Sequence, residues 1–255
     1  MVPFHWHIGC SGFSYKEWRG EFYPKGLAQK DWLAYYAEHF NTLELNVTFY
    51  RFPTLPLLKN FHDKVPEGFL FSVKVPRIIT HLKKFTDTHQ TMQDFYALLQ
   101  HGLGEKLGVV LFQLPPSITY SEEVLERIIS HTNPQFKNAV EFRHESWWRE
   151  DVKAILAANN VSFCGVSFPK ISFDDAVANT PVCYYRFHGV PVLFYSAYEE
   201  AFIQKIFDQI NGSAQAKDIY VYFNNTASGA AISNAKYLQK LVSTEYGSAS
   251  RHSIS

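Results

Sequence analysis

Cysteine is scarce in this chain. Only Cys10, Cys164 and Cys183 occur in 255 residues, far apart and odd in number. No CxxC pair and no Cys/His metal spacing is present, which excludes a cysteine-built zinc module and a disulfide framework, and points to reduced core thiols. An excess of one charge is also lacking, since 24 Lys and Arg face 24 Asp and Glu. A protein that coats nucleic acid non-specifically needs a cationic surplus, so that role is disfavoured, while a local basic cleft stays open. No apolar run reaches the roughly 18 residues of a membrane-spanning helix, so no membrane partner is expected. The segment Met1–Trp6 has neither a basic n-region nor an apolar h-region, so no signal peptide is expected, and with the thiols this places the protein in the cytoplasm. The turn Gly9-Cys10-Ser11-Gly12-Phe13-Ser14 is not GxGxxG, and no Walker A motif exists. No nucleotide cofactor is therefore expected, and whether any other cofactor serves is left open.

What is present is a regular alternation. Short apolar runs at 5–11, 42–47, 69–75, 108–114, 138–143, 162–167, 182–188 and 218–224 read as strands. Helical patterns near 31–40, 54–63, 89–101, 121–131, 150–159, 197–211 and 229–242 separate them, and 168–181 reads as a loop. Eight strands joined by helical crossovers imply an α/β chain folded as a single (β/α)8 TIM-type barrel of parallel strands. One barrel domain is expected over residues 1–243, with a polar, loosely held tail over 244–255.

Side-chain phase supports this. One alternating set is apolar and suits the helix-facing outside: Leu43 and Leu45; Val110 and Phe112; Val140 and Phe142; Cys164 and Val166; Ile219 and Val221 are examples. The opposite set turns polar toward each strand's C-terminal end, with Ser11; Glu44 and Asn46; Ser72 and Lys74; Gln113; Glu141 and Arg143; Ser167; Arg186 and His188; Tyr222 and Asn224. Catalytic residues of such barrels gather at that end, so these polar groups are expected to form a mouth that binds a ligand.

Several phrases resemble the DUF72 (YecE-like) family. They include Ile8-Gly9-Cys10-Ser11-Gly12-Phe13-Ser14-Tyr15, Glu44-Leu45-Asn46-Val47-Thr48-Phe49-Tyr50 and Phe71-Ser72-Val73-Lys74-Val75-Pro76. Phe112-Gln113-Leu114-Pro115-Pro116, Val140-Glu141-Phe142-Arg143-His144, Arg186-Phe187-His188-Gly189 and Tyr222-Phe223-Asn224-Asn225 follow in order. The resemblance implies a TIM barrel and supplies no reaction.

Three cations, Lys74, Arg143 and Arg186, converge with two carboxylates, Glu44 and Glu141. One reading is an internal ion network that locks the barrel top, because buried charges are usually paired. The other is an anion site, since Arg offers a planar fork and Lys a point charge to phosphate or carboxylate. On the second reading Glu141, Glu44 and His188 are the acid–base candidates. Lys74, Arg143, Arg186, Asn46, His81, Gln113, Asn224, Ser11, Tyr50 and Trp147 would bind the substrate. Lys74, flanked by Val73 and Val75, also raises a Schiff-base possibility. Glu44, His81, Glu141 and His188 are metal-ligand types, but the interleaved Lys and Arg would repel a cation, so no tight metal is expected. The leading expectation is an enzyme acting by acid–base chemistry on a small anionic molecule, as a hydrolase, lyase or isomerase. A nucleic-acid-binding or nucleic-acid-processing barrel, with phosphates on the cations and bases on aromatic loops, is the alternative. A non-catalytic ligand-binding barrel is the third.

Overall fold

The computed structural model describes residues 4–247. Its elements run β1 (His5–Cys10), α1 (Trp32–Ala37), β2 (Thr42–Leu45), α2 (Val47–Tyr50), α3 (Leu55–Asp63), β3 (Leu70–Lys74), α4 (His89–Leu103), β4 (Leu107–Gln113) and α5 (Glu122–Ser130). They continue with β5 (Lys137–Glu141), α6 (Glu150–Ala158), β6 (Val161–Phe163), β7 (Gly165–Ser167), β8 (Val182–Phe187), α7 (Glu200–Asn211), β9 (Asp218–Phe223) and α8 (Ala230–Tyr246). The last helix thus enters the segment expected as tail, and 248–255 lie outside the described residues.

Every strand pairing is parallel, in two sheets ordered β1-β9-β8-β7 and β2-β3-β4-β5-β6. This corrects the expectation of eight unbroken strands. The run at 162–167 is split at Cys164, where the chain leaves one sheet and enters the other. Cys164 N–H still donates to the Val140 carbonyl at 2.9 Å, while Gly165 already pairs with Tyr185. The break also reverses the expected phase. Val161 and Phe163 join the outer core, and the Cys164 side chain lies in an inner cluster with Val109, Leu111, Ala139, Tyr184, Tyr220 and Tyr222.

Between β1 and β2 the backbones approach closely, but side chains replace most of the ladder. A Cβ on Gly9 would sit 2.1 Å from the Thr42 carbonyl oxygen. The Tyr36 hydroxyl accepts from Cys10 N–H at 2.7 Å and donates to the Thr42 carbonyl at 3.0 Å. Asn41 accepts from Ile8 N–H at 3.1 Å and donates to the Trp6 carbonyl at 2.8 Å. Buried backbone groups that lack a strand partner are thereby satisfied. A single parallel bridge joins Ser11 to Glu44 at the C-terminal end of this seam.

The helices pack on the outer strand faces through their apolar stripes. In α4, Met92, Phe95, Tyr96, Leu99 and Leu103 recur at helical spacing and are all buried. Gly102 on that helix lets α3 approach, because a Cβ there would meet Leu58 Cβ at 2.4 Å. The aromatic loop after β1 plugs this outer layer. Trp18 and Tyr23 are fully buried, and Tyr23 stacks on Trp32 with ring centroids 4.6 Å apart.

Candidate functional site

The floor of the site is an ion network inside the fold. Glu44 from β2, Glu141 from β5 and Arg186 from β8 share an inward phase, so two carboxylates and a guanidinium meet where no water reaches them. Arg186 donates Nη1 to Glu141 Oε2 and Nη2 to Glu44 Oε1, the latter at 2.6 Å. Glu44 also accepts from the Ser11 hydroxyl at 2.7 Å, from Asn46 Nδ2 at 3.2 Å and from the Tyr184 hydroxyl at 2.7 Å. The second oxygen of Glu141 accepts from Arg143 Nε. Burial alone would raise Glu141, yet the charges of Arg143 and Arg186, with His188, hold it well below the usual carboxylate range.

His188, at the end of β8, is buried beside this network. Its Nε2 lies 3.0 Å from Arg143 Nη2 and 3.4 Å from Glu141 Oε2, and its Nδ1 lies 2.8 Å from the side-chain amide of Asn224. A guanidinium only donates, so its contact makes Nε2 the acceptor nitrogen. Burial, then Arg143 and Arg186, push the imidazole well below its ordinary pKa, so it stays neutral. Arg143 packs its guanidinium over the Phe168 ring, 3.8 Å from the centroid. Nη1 is the one nitrogen of this guanidinium without a hydrogen bond to the described residues.

Lys74 closes β3 above the floor. It is 9% exposed, and its Nζ sits 3.9 Å over the Phe49 ring. Among the described residues this amine makes no hydrogen bond and no ion pair, while Glu44 and Glu141 each accept from other donors. Burial lowers Lys74 most and Arg186 adds to it, while Glu141 and Glu44 pull back, leaving a pKa of about 7. His81, in a π-helical turn at Ile78–Leu82, packs edge-on against Phe49 with centroids 4.9 Å apart. Burial, then Lys74, Arg143 and Arg77 lower it to about 4, so it too is neutral.

The structure therefore joins Glu44, Glu141, Arg143, Arg186, His188, Ser11, Asn46 and Asn224 by direct contacts, with Lys74 and His81 beside them around Phe49. Three expected binding residues are placed differently. Trp147 lies on the outer face, fully buried, stacked on Phe142 at 4.4 Å with its indole N–H given to the Ile118 carbonyl at 2.9 Å. Arg186 is itself covered and gives its two Nη nitrogens to carboxylates, so it holds the floor, while its Nε is buried without a hydrogen-bond partner among the described residues. Gln113 stands beside Glu141 in register but gives its amide to the neighbouring Leu114 carbonyl at 2.6 Å. Tyr50 is 71% exposed at the rim, edge-on to Phe49. Phe49, Phe168 and Tyr184 were not among the expected site residues; Tyr184 shares the phase of Arg186 and His188, which was signal enough to find it.

Among the described residues no three His, Cys, Asp or Glu side chains converge as metal ligands. No described helix is long and apolar enough to cross a membrane. Two surface grooves, one of about 330 Å³ between Phe13 and Lys64 and one of about 480 Å³ beside Ser167 and Tyr198, are not lined by Lys74, Arg143 or His81.

The chain as a whole is similar to a known set of proteins. The family model described as "Protein of unknown function DUF72" matches residues 7–254. The chain belongs to the DUF72 family. It is similar to the UPF0759 protein YunF of Bacillus subtilis, 25% identical over 94% of this chain and 95% of that protein. UPF0759 protein YecE of Escherichia coli is 26% identical over 56% of this chain and 50% of its own length. Among solved structures, a DUF72 family protein of Thermotoga maritima superposes with a TM-score of 0.82 at 29% identity, covering 92% of this chain and 98% of that one. A DUF72 family protein of Enterococcus faecalis, 21% identical with a TM-score of 0.76 over 92% of this chain and 94% of that one, shares the fold.

Proposed function

We propose that this DUF72 protein is a cytoplasmic enzyme built as one closed barrel. Its mouth binds a small phosphate- or carboxylate-bearing molecule and acts on it by proton transfer. Closure is supported by the inner cluster, to which both sheets contribute, and by the chain crossing between them at Cys164. The three free, buried cysteines fit a reducing compartment.

The observation that carries the functional reading is Lys74, a buried residue at the strand ends whose amine has no hydrogen-bond or ion-pair partner among the described residues and is not sealed from solvent. A lysine kept for structure is normally paired when buried. With Glu44, Glu141, Arg143 and Arg186 cancelling in pairs, the proton on Lys74 is the surplus charge, and Arg143 Nη1 adds a donor for the same anion. Glu44 and Glu141 hold Arg186 and Arg143, and because each of their oxygens already accepts from at least one protein donor they serve as positioning residues in place of the bases expected from sequence. Lys74, titrating near neutrality, is the proton carrier suited to work at about pH 7.

Sulfate tests this, because it mimics phosphate without titrating. By calorimetry at about pH 6, wild type is expected to bind sulfate at least about tenfold more tightly than Lys74→Met, a difference of roughly 1.4 kcal/mol. At about pH 8.5 the wild-type advantage should vanish, because a group with its pKa near neutrality has then lost its proton. Equal affinity of the two proteins at the lower pH, or no wild-type binding, would remove the reading.

A further inference from the structure

We propose that Lys74 acts covalently, its amine condensing with an aldehyde or ketone of the bound molecule to form an imine. This rests on the anion-site reading above and narrows the ligand to a carbonyl compound that carries a carboxylate or phosphate.

The geometry separates this lysine from one that only supplies charge. Its Nζ faces the Phe49 ring, and no described donor or acceptor is bonded to it. The charged and titratable groups around it come from every side: Glu44, Glu141, Arg143, Arg186 and His81. Both carboxylates are bound to guanidinium groups and His81 is neutral, so no described group is bonded to the amine, and the pull of Glu141 and Glu44 offsets only part of the effect of burial. Its ordinary competitor is the ammonium form, which for a solvent lysine leaves only about one amine in 2,500 free at neutral pH. Lys74, with a pKa of about 7, is half free there. A desolvated lysine of this kind is the usual activated amine nucleophile.

The chemistry balances without a co-reactant. The free amine attacks the carbonyl carbon, and a carbon–nitrogen bond forms as the carbonyl oxygen takes a proton. Loss of water then gives the protonated imine. Overall, the ammonium and the carbonyl compound become an iminium and one water, with the charge unchanged. That charge remains over the Phe49 ring, where a cation is favoured. Arg143 Nη1 is the free donor for the ligand's anionic group.

The whole protein should be incubated at about pH 7 with pyruvate, dihydroxyacetone phosphate or acetone in the presence of cyanoborohydride, then digested and mapped by mass spectrometry. The expected result is a reduced, secondary-amine adduct on Lys74 with the two anionic carbonyls, at least about 100-fold faster than on exposed lysines such as Lys16. Lys74→Arg should lose the adduct. Labelling of Lys74 no faster than of Lys16, with lysine-dependent sulfate binding intact, overturns the imine and leaves the anion site standing. Labelling by acetone as fast as by pyruvate overturns the anionic part of the ligand class. Because selectivity within wild type is the readout, the test does not depend on the variant folding.

Discussion

Arg186→Met is expected to destabilise the protein by about 3–5 kcal/mol, the cost of leaving buried charges without their counter-ion. For a chain of this size that corresponds to a melting temperature lower by about 10 °C. Among the described residues the guanidinium is the one cation that touches both Glu44 and Glu141, and all three side chains are sealed from solvent. Without it, Glu44 retains only the neutral donors Ser11, Asn46 and Tyr184. The pH response should also weaken. In wild type the folded pKa of Glu141 is depressed, so its contribution is full above the unfolded carboxylate pKa and is lost as pH falls below it. In Arg186→Met one of the charges that lower Glu141 is gone while Arg143 remains, so that pKa should move back up and the loss of stability on acidification from about pH 7 toward pH 5 should be smaller than in wild type. Adding Glu44→Gln should recover part of the loss. Denaturant unfolding at the two pH values checks this. A loss under about 1 kcal/mol would mean that the network contributes little to the fold.

Lys74→Met is expected to have the opposite effect, making the protein more stable at neutral pH by on the order of 3 kcal/mol. The amine falls from an unfolded value of 10.5 to about 7 when folded, so between those values the unfolded chain binds the extra proton. Wild-type stability should therefore rise with pH through that window, by about 1.4 kcal/mol per unit at its steepest. The variant lacks this linkage, and the difference between the two proteins should shrink toward pH 10.5. Paired unfolding curves at neutral and alkaline pH isolate the effect from other titrating groups. A variant less stable than wild type at neutral pH would make Lys74 a structural residue. A side chain that weakens the fold yet sits at the strand ends fits a group kept for function.

Much of this was legible in the alternation of side chains. A strand's period of two assigns a face, and it put Glu44, Lys74, Glu141, Arg143, Arg186 and His188 on the inner one. It does not give depth along the strand axis. Depth is what separates Arg186, locked under the floor, from Lys74 above it, so the sequence could not tell a charge clamp from a free amine. Residues in loops have no period at all, which is why Trp147 was expected at the mouth and lies behind Phe142. The split at Cys164 was hidden because 162–167 is apolar on both faces of a short run, where one slipped residue leaves the pattern plausible. Phe49 and Phe168 gave no polar signal, yet they are the beds on which Lys74 and Arg143 rest.

The central claim is that one buried lysine at the strand ends has no carboxylate bonded to it among the described residues. Reductive ¹³C-methylation followed by an NMR pH titration, with Lys74→Arg to assign the signal, measures this directly. The expected result is one lysine with its midpoint at about 7, moving upward when sulfate is added. A Lys74 signal that titrates at about 10.5 with the exposed lysines would contradict the account.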